Sequence, residues 1–158
     1  MKHFIISCLF VFAFFPGCTS SRHEAMEATV SIYFVNTSLE AVDMKSQAST
    51  PAPFVLYPVK RTIRSAVRER AALEELVKGP TTEERQLGYE SMLEGLSVSE
   101  FEIADQVAVI GLAGKLQLAG LLTGPRLRGQ LEKTLAQFGT IDSVSLKING
   151  REDFDSLK

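Results

Sequence analysis

The sequence predicts an α+β domain, a small mixed or antiparallel sheet with two amphipathic helices packed on one of its faces. Three observations carry that expectation. Short runs rich in β-branched and aromatic residues alternate at a period of two. Two longer segments repeat apolar residues at helical spacing. The two kinds follow one another as strand, strand, helix, hairpin, helix, strand.

An export segment precedes the fold. Lys2 gives a short positive start, residues 4–15 are apolar apart from Ser7, and small residues follow. Such a run, about a dozen residues, is too short to cross a ~30 Å hydrocarbon layer as a stable helix. In Phe15-Pro16-Gly17-Cys18 a small residue precedes Cys, as in a bacterial lipobox, so Cys18 is expected to be lipidated and to become the new N-terminus. An ordinary cleaved signal with an incidental Cys is the alternative. Cys8 leaves with the signal, so an acylated Cys18 leaves no thiol to form a disulfide. The chain then divides into a signal, residues 1–18, a polar tether, 19–28, a domain, 29–150, and a tail, 151–158. The expected location is the exported side of a cell membrane or outer membrane, held by the lipid.

About 140 residues remain, enough for one domain with one core. The net charge of −2 carries no nucleic-acid footprint, and Trp is absent.

Each element has its own signal. Residues 29–35 alternate and are β-branched and aromatic, a first strand. Residues 36–53 hold few large apolar side chains, and Ser46, Gln47, Ser49, Thr50, Pro51 and Pro53 read as a long loop. Residues 54–59 form a shorter strand, with Pro58 implying an edge or an end. Over 63–78 the spacing predicts the first helix, with Ile63, Ala66, Val67, Leu73, Leu76 and Val77 on one side and Arg64, Arg68 and Glu75 opposite. Gly79 can close it in the left-handed conformation, Pro80 cannot extend it, and Thr81 with Glu84 makes a capping box for a short turn ending before Gly88. Residues 93–96 connect to strands 98–103 and 107–112, a hairpin turning at Ala104-Asp105-Gln106. The apolar, Gly-rich residues 111–123 are a packed connector or short helix, or an exposed interaction patch. Gly124-Pro125 opens the second helix, whose stripe is Leu127, Leu131, Leu135 and Phe138, and Gly139 ends it. Residues 143–148 alternate as the last strand, and Asn149-Gly150 is a turn.

These pieces together resemble the Germane (GerMN) domain of bacterial sporulation and cell-envelope proteins. The resemblance rests on Ile32-Tyr33-Phe34-Val35, on Ala72-Leu73-x-x-Leu76-Val77-x-Gly79-Pro80-Thr81, and on the hairpin around Asp105. It also rests on Gln130-Leu131-x-x-Thr134-Leu135-x-Gln137-Phe138 and Val144-x-Leu146-x-Ile148-Asn149-Gly150, and it covers residues 29–150. It implies a fold similar to ring-building motifs, export as a lipoprotein, and a binding or assembly module in place of a catalyst. Residues 36–53 have no obvious counterpart in the family, and Asn149 stands where an acidic residue is usual.

The residues themselves offer little for catalysis. The only histidine of the mature chain, His23, lies in the tether, so no Ser-His or Cys-His pair is available in the domain. No Cys/His cluster or calcium-loop spacing points to a metal, and no cofactor is expected. Glu74-Glu75 and Glu83-Glu84 are the only paired carboxylates within residues 29–150; neighbours on a helix diverge by about 100°, which favours surface and capping roles over a glycosidase pair. Gly111, Gly114, Gly120 and Gly124 lack a P-loop Lys-Ser/Thr.

Lys60, Arg61, Arg64 and Arg68, with Arg70, form the one basic cluster. A helix beginning early would put Lys60, Arg64 and Arg68 on one face, paired to Glu69 and Glu75 or free to meet anionic headgroups or a glycan-phosphate polymer. The expected function is a lipid-anchored, non-catalytic module that binds or assembles with an envelope protein complex, with peptidoglycan or another wall polymer as the alternative partner. A homo-oligomer is compatible with it, and no nucleic acid is expected.

Overall fold

Two three-stranded sheets, rather than one, carry the strands of the described residues. The computed structural model describes residues 26–46, 54–117 and 120–152. The signal, Cys18, most of the tether, the end of the tail and residues 47–53 lie outside them. In the first sheet, β1 (Met26–Asn36) is central, flanked by β2 (Leu56–Ser65) and the two-residue β3 (Tyr89–Glu90), both antiparallel to it. In the second, β4 (Leu96–Ala104) and β5 (Val107–Gly114) form the expected hairpin, and β6 (Ser143–Ile148) runs parallel to β5. Four helices accompany them: α1 (Thr37–Ser46), α2 (Arg68–Lys78), α3 (Thr82–Gln86) and α4 (Thr123–Leu135). The α+β class stands, with its sheet divided in two.

One core joins both sheets to α2 and α4. From β1 it takes Val30, Ile32 and Phe34; from α2, Ala72, Leu73 and Leu76. The stripe Leu127, Leu131, Leu135 and Phe138 is buried as its spacing predicted, in one cluster with Ile110, Leu112, Leu146 and Ile148 of the second sheet. The hairpin turns on Asp105 and Gln106, at φ +50° and +62°, the positive pair that a two-residue turn between twisted strands favours.

A second stripe on α4 does something apolar side chains cannot. Beyond its short pairing with β3, β1 has no strand on that side among the described residues, and the backbone groups of Ser31 and Tyr33 point at α4 and the turn after it. Gln137 accepts from Ser31 N at 2.9 Å and donates to Ser31 O at 2.8 Å. The Thr134 hydroxyl accepts from Tyr33 N at 3.1 Å, and Gln130 Nε2 donates to Tyr33 O at 3.2 Å. Gln130 Oε1 also accepts from Met92 N at 2.8 Å. Gln130 and Thr134 share a face of α4 and Gln137 follows in the turn just past its end, so together they satisfy the strand edge as a neighbouring strand would.

The first predicted helix begins five residues late. Residues 56–65 continue as β2, pairing with β1 from Leu56↔Val35 to Ser65↔Met26, and Ile63 is buried by this ladder. Ser65 ends the strand: its hydroxyl accepts from Val67 N at 3.0 Å, a local turn that frees the chain to begin α2 at Arg68. Pro58 lies on β2, an edge strand, as expected. The strand β1 begins at Met26, three residues before the expected domain start.

The expected loop over 36–53 contains α1. Its N-cap is Asn36, whose Oδ1 accepts from Leu39 N at 3.0 Å while Nδ2 donates to Leu87 O at 3.0 Å. The helix is then held by Glu40, which accepts from Val55 N at 3.1 Å and pairs with Arg126 at 2.6 Å.

At the end of α2, Gly79 has φ +82° as expected, but ψ −173° puts it in the extended glycine-only region in place of the left-handed helical one. The capping box is present, with Glu84 N donating to Thr81 Oγ1 at 3.3 Å and Thr81 N to Glu84 Oε2 at 2.9 Å. Of the Gly-rich connector, residues 111–114 belong to β5 and Thr123 to α4, while Leu121 is 90% exposed. The Asn149-Gly150 turn forms with φ +51° and +76°. Asn149 donates to Gly114 O at 2.9 Å and accepts from Gly114 N at 3.0 Å, a two-way bond that an acidic residue could not make.

Candidate functional site

The basic cluster divides because it lies on a strand. Successive side chains of β2 point to opposite faces, so Lys60, Thr62 and Arg64 face outward, and Arg61 faces the core with Val59 and Ile63. Across the ladder they meet Ser31, Thr29 and Glu27 of β1. Lys60 Nζ donates to Ser31 Oγ at 2.8 Å. Further along this face Lys133 of α4 stands over the Tyr33 ring, 5.7 Å from its centroid. Among the described residues, no carboxylate lies within 4.0 Å of Lys60, Arg64, Arg68 or Lys133. The outer face of the first sheet therefore combines cations with the hydroxyls of Thr29, Ser31, Tyr33 and Thr62.

Arg61 is a structural cation. It donates to both Glu84 oxygens, at 2.6 and 2.5 Å, and lies 3.5 Å from Glu75, with its side chain only 15% exposed. Glu84 accounts for most of the upward shift of the Arg61 pKa, against burial. Reciprocally, the Arg61 hydrogen bond holds the Glu84 carboxyl below the usual range, against burial. The expectation of one helical face shared by Lys60, Arg64 and Arg68 fails, because only Arg68 is helical.

Arg68, the first residue of α2, lines a cleft of about 250 Å³ with Thr29, Glu69, Gln137 and Thr140. Its acid, Glu69, accepts from the Thr140 hydroxyl at 3.0 Å. This cleft lies where α4 stops covering the edge of β1.

The paired carboxylates do not converge. Glu74 pairs with Arg70 at 2.9 Å on the exposed side of α2, while Glu75 reaches Arg61 and Lys78. Glu83 is held below the usual range by its own backbone N–H and then by the Thr81 hydroxyl. A general acid needs a raised carboxyl pKa, and Glu83 and Glu84 both move the other way. Among the described residues, no group of three or more His, Cys, Asp and Glu is placed to hold a metal ion.

Sequence reasoning found Lys60 and Arg64 but missed Lys133, Tyr33, Thr29, Ser31 and Thr62 as their neighbours. The alternating hydroxyls of 29, 31 and 33 were readable as the polar face of a strand. What hid the site was the assignment of 63–78 to a helix, which removed Arg64 from that strand.

No curated protein matches the sequence. Among solved structures, the tandem GerMN domains of the sporulation protein GerM from Bacillus subtilis are similar at 18% identity and TM-score 0.54, over 87% of this chain. This chain spans 43% of that tandem structure. The first GerMN domain of the same protein is similar at 21% identity and TM-score 0.53, with 78% of this chain and 84% of that one covered. At these identities the likeness is one of fold. The sequence itself matches the family Germane, described as sporulation and spore germination, over residues 31–154, a span that runs from the middle of β1 past the end of β6. The chain belongs to the Germane family.

Proposed function

We propose that this chain is an exported envelope protein, anchored through a lipid on Cys18, whose Germane domain works without catalysis by binding and positioning another envelope protein. The observation that carries the reading is the open edge of β4. This nine-residue strand pairs only with β5 among the described residues, so its other edge is available for an incoming strand. The register shifts between Val98 and Glu100, and Glu100 and Glu102 are exposed. Bulges and charges of this kind suppress indiscriminate edge pairing, which favours a selective partner over a sticky one. Among the described residues, no helix is long and apolar enough to cross a membrane.

A second reading has its own support. The cations and hydroxyls on the outer face of the first sheet suit an anionic wall polymer, with Lys60 and Arg64 as contacts. Photo-crosslinkers placed in intact cells at Glu102, and separately at Thr62, discriminate the two. A discrete protein captured at Glu102 supports the assembly module. Wall glycan captured at Thr62, with nothing at Glu102, replaces it by the polymer reading.

A further inference from the structure

The end of the first sheet where β1 begins exposes apolar side chains beside cations. Met26 is 71% exposed and Val67 46% exposed, and the pairing Met26↔Ser65 sets Met26 beside the turn that carries Val67. Arg64 and Arg68 flank this turn, one on each side, and no carboxylate of a described residue pairs with either. Two exposed apolar side chains between two unpaired cations are what a surface needs to meet lipid headgroups and the top of the acyl layer together. The local acids are Glu27, opposite Arg64 in the ladder, and Glu69, engaged by Thr140.

The same end receives the chain from Cys18. Seven residues separate Cys18 from Met26, eight steps of chain with a reach of at most about 29 Å even fully extended. A lipid on Cys18 therefore confines this tip to the membrane surface, where weak contacts become intramolecular and count.

We propose that this tip, Met26 and Val67 between Arg64 and Arg68, docks on an anionic bilayer and sets the domain upright, with β1 pointing away from the membrane. The contact rests on the lipid-anchor reading and adds an orientation to it. Far from the tip, Leu87 is bound through its carbonyl to Asn36 at the other end of β1, ten residues and about 33 Å of strand from Met26. Docking would therefore carry that end, and Leu87 with it, off the bilayer.

The test uses the full chain, processed in cells and reconstituted into vesicles with or without phosphatidylglycerol. The N-terminal peptide is weighed first. Acylated Cys18 leaves no competing thiol, so a Val67→Cys variant takes a single fluorescent label, and a Leu87→Cys variant serves as its counterpart. Quenching by nitroxide lipids is expected at position 67 in anionic vesicles and not at position 87. Each arginine contributes about fivefold to the docked population, so Arg64→Gln with Arg68→Gln should lower it by more than tenfold, less what Glu27 and Glu69 already cancel. A peptide mass without acyl groups overturns the anchor and this proposal with it. Acylated protein whose label at 67 is unquenched, is quenched no more than at 87, or ignores loss of the two arginines overturns the docking alone.

Discussion

Replacing Gln130 with Leu tests whether α4 stands in for a strand. The Gln130 side chain is fully buried and its two ends are committed in opposite senses. Its oxygen accepts from Met92 N at 2.8 Å, and its nitrogen donates to Tyr33 O at 3.2 Å and, more weakly, to Glu90 O at 3.4 Å. Leucine occupies similar space and offers neither function. Met92 N–H and Tyr33 C=O would be left without these partners, at about 1–3 kcal/mol for each buried group. Better burial of the apolar replacement returns about 1–2 kcal/mol. The expected net loss is about 2–4 kcal/mol, a large part of the ~5–15 kcal/mol typical of a domain. With an m-value near 2 kcal/mol/M, the urea midpoint should fall by roughly 1–2 M. Amide exchange at Met92 should accelerate more than exchange in β5, none of whose backbone groups bonds to the side chain. Gln130→Glu sharpens the test, because it keeps the acceptor for Met92 but turns a second oxygen toward the carbonyls of Tyr33 and Glu90. Protonation restores a donor, so the folded variant should hold that proton more tightly than the unfolded chain. Its penalty should then be smallest in acid and grow as pH rises through the raised folded pKa. A loss under about 1 kcal/mol for Gln130→Leu, with unchanged exchange at Met92, would refute the strand-substitute account.

Two other substitutions probe polar contacts of the fold. Arg61→Met removes the cation that holds Glu84 ionised, and a partly buried pair of this kind should cost about 2 kcal/mol at neutral pH. Because the Glu84 pKa is depressed in the folded state, its contribution is present above the ordinary carboxyl range and lost as pH falls through the folded value. Chemical denaturation from pH 7 to pH 3 should therefore show wild type and variant converging in acid; a constant gap would contradict it. Asn149→Asp keeps the acceptor for Gly114 N but sets a carboxylate against Gly114 O, with an expected loss of about 1 kcal/mol in thermal unfolding. Unchanged or higher stability would show that the turn does not depend on the two-way bond.

The legible parts of this fold were those whose signal is local. Thr81 and Glu84 announce a capping box four residues long, and Leu127, Leu131, Leu135 and Phe138 announce a buried face by spacing alone. Residues 61–65 misled because Ile63 suits either period, and the pairing with Ala28 that settles it lies 35 positions away in sequence. The helix α1 was obscured by its weak apolar pattern; only the cap at Asn36 marked it, and Glu40 acts through Arg126 on a distant element. Of the candidate site, charge was visible but its direction was not. Whether Arg61 faces the core and Lys60 the solvent is a matter of strand register, which tertiary pairing decides.

Closure of the β1 edge by Gln130, Thr134 and Gln137 also bears on how this chain avoids sticking to its own copies. An uncovered strand as long as β1 is a template on which another molecule can extend the sheet, and most proteins blunt it with charge, a bulge or covering backbone. Here three side chains do that work, two on α4 and one in the turn that follows it. A relative with leucine or valine at those positions would keep its buried volume and hydropathy pattern. It would nevertheless leave the backbone groups of Ser31 and Tyr33 unpaired beneath α4, so that any opening of the helix offered them to a passing strand, a protection that a hydrophobicity profile does not single out.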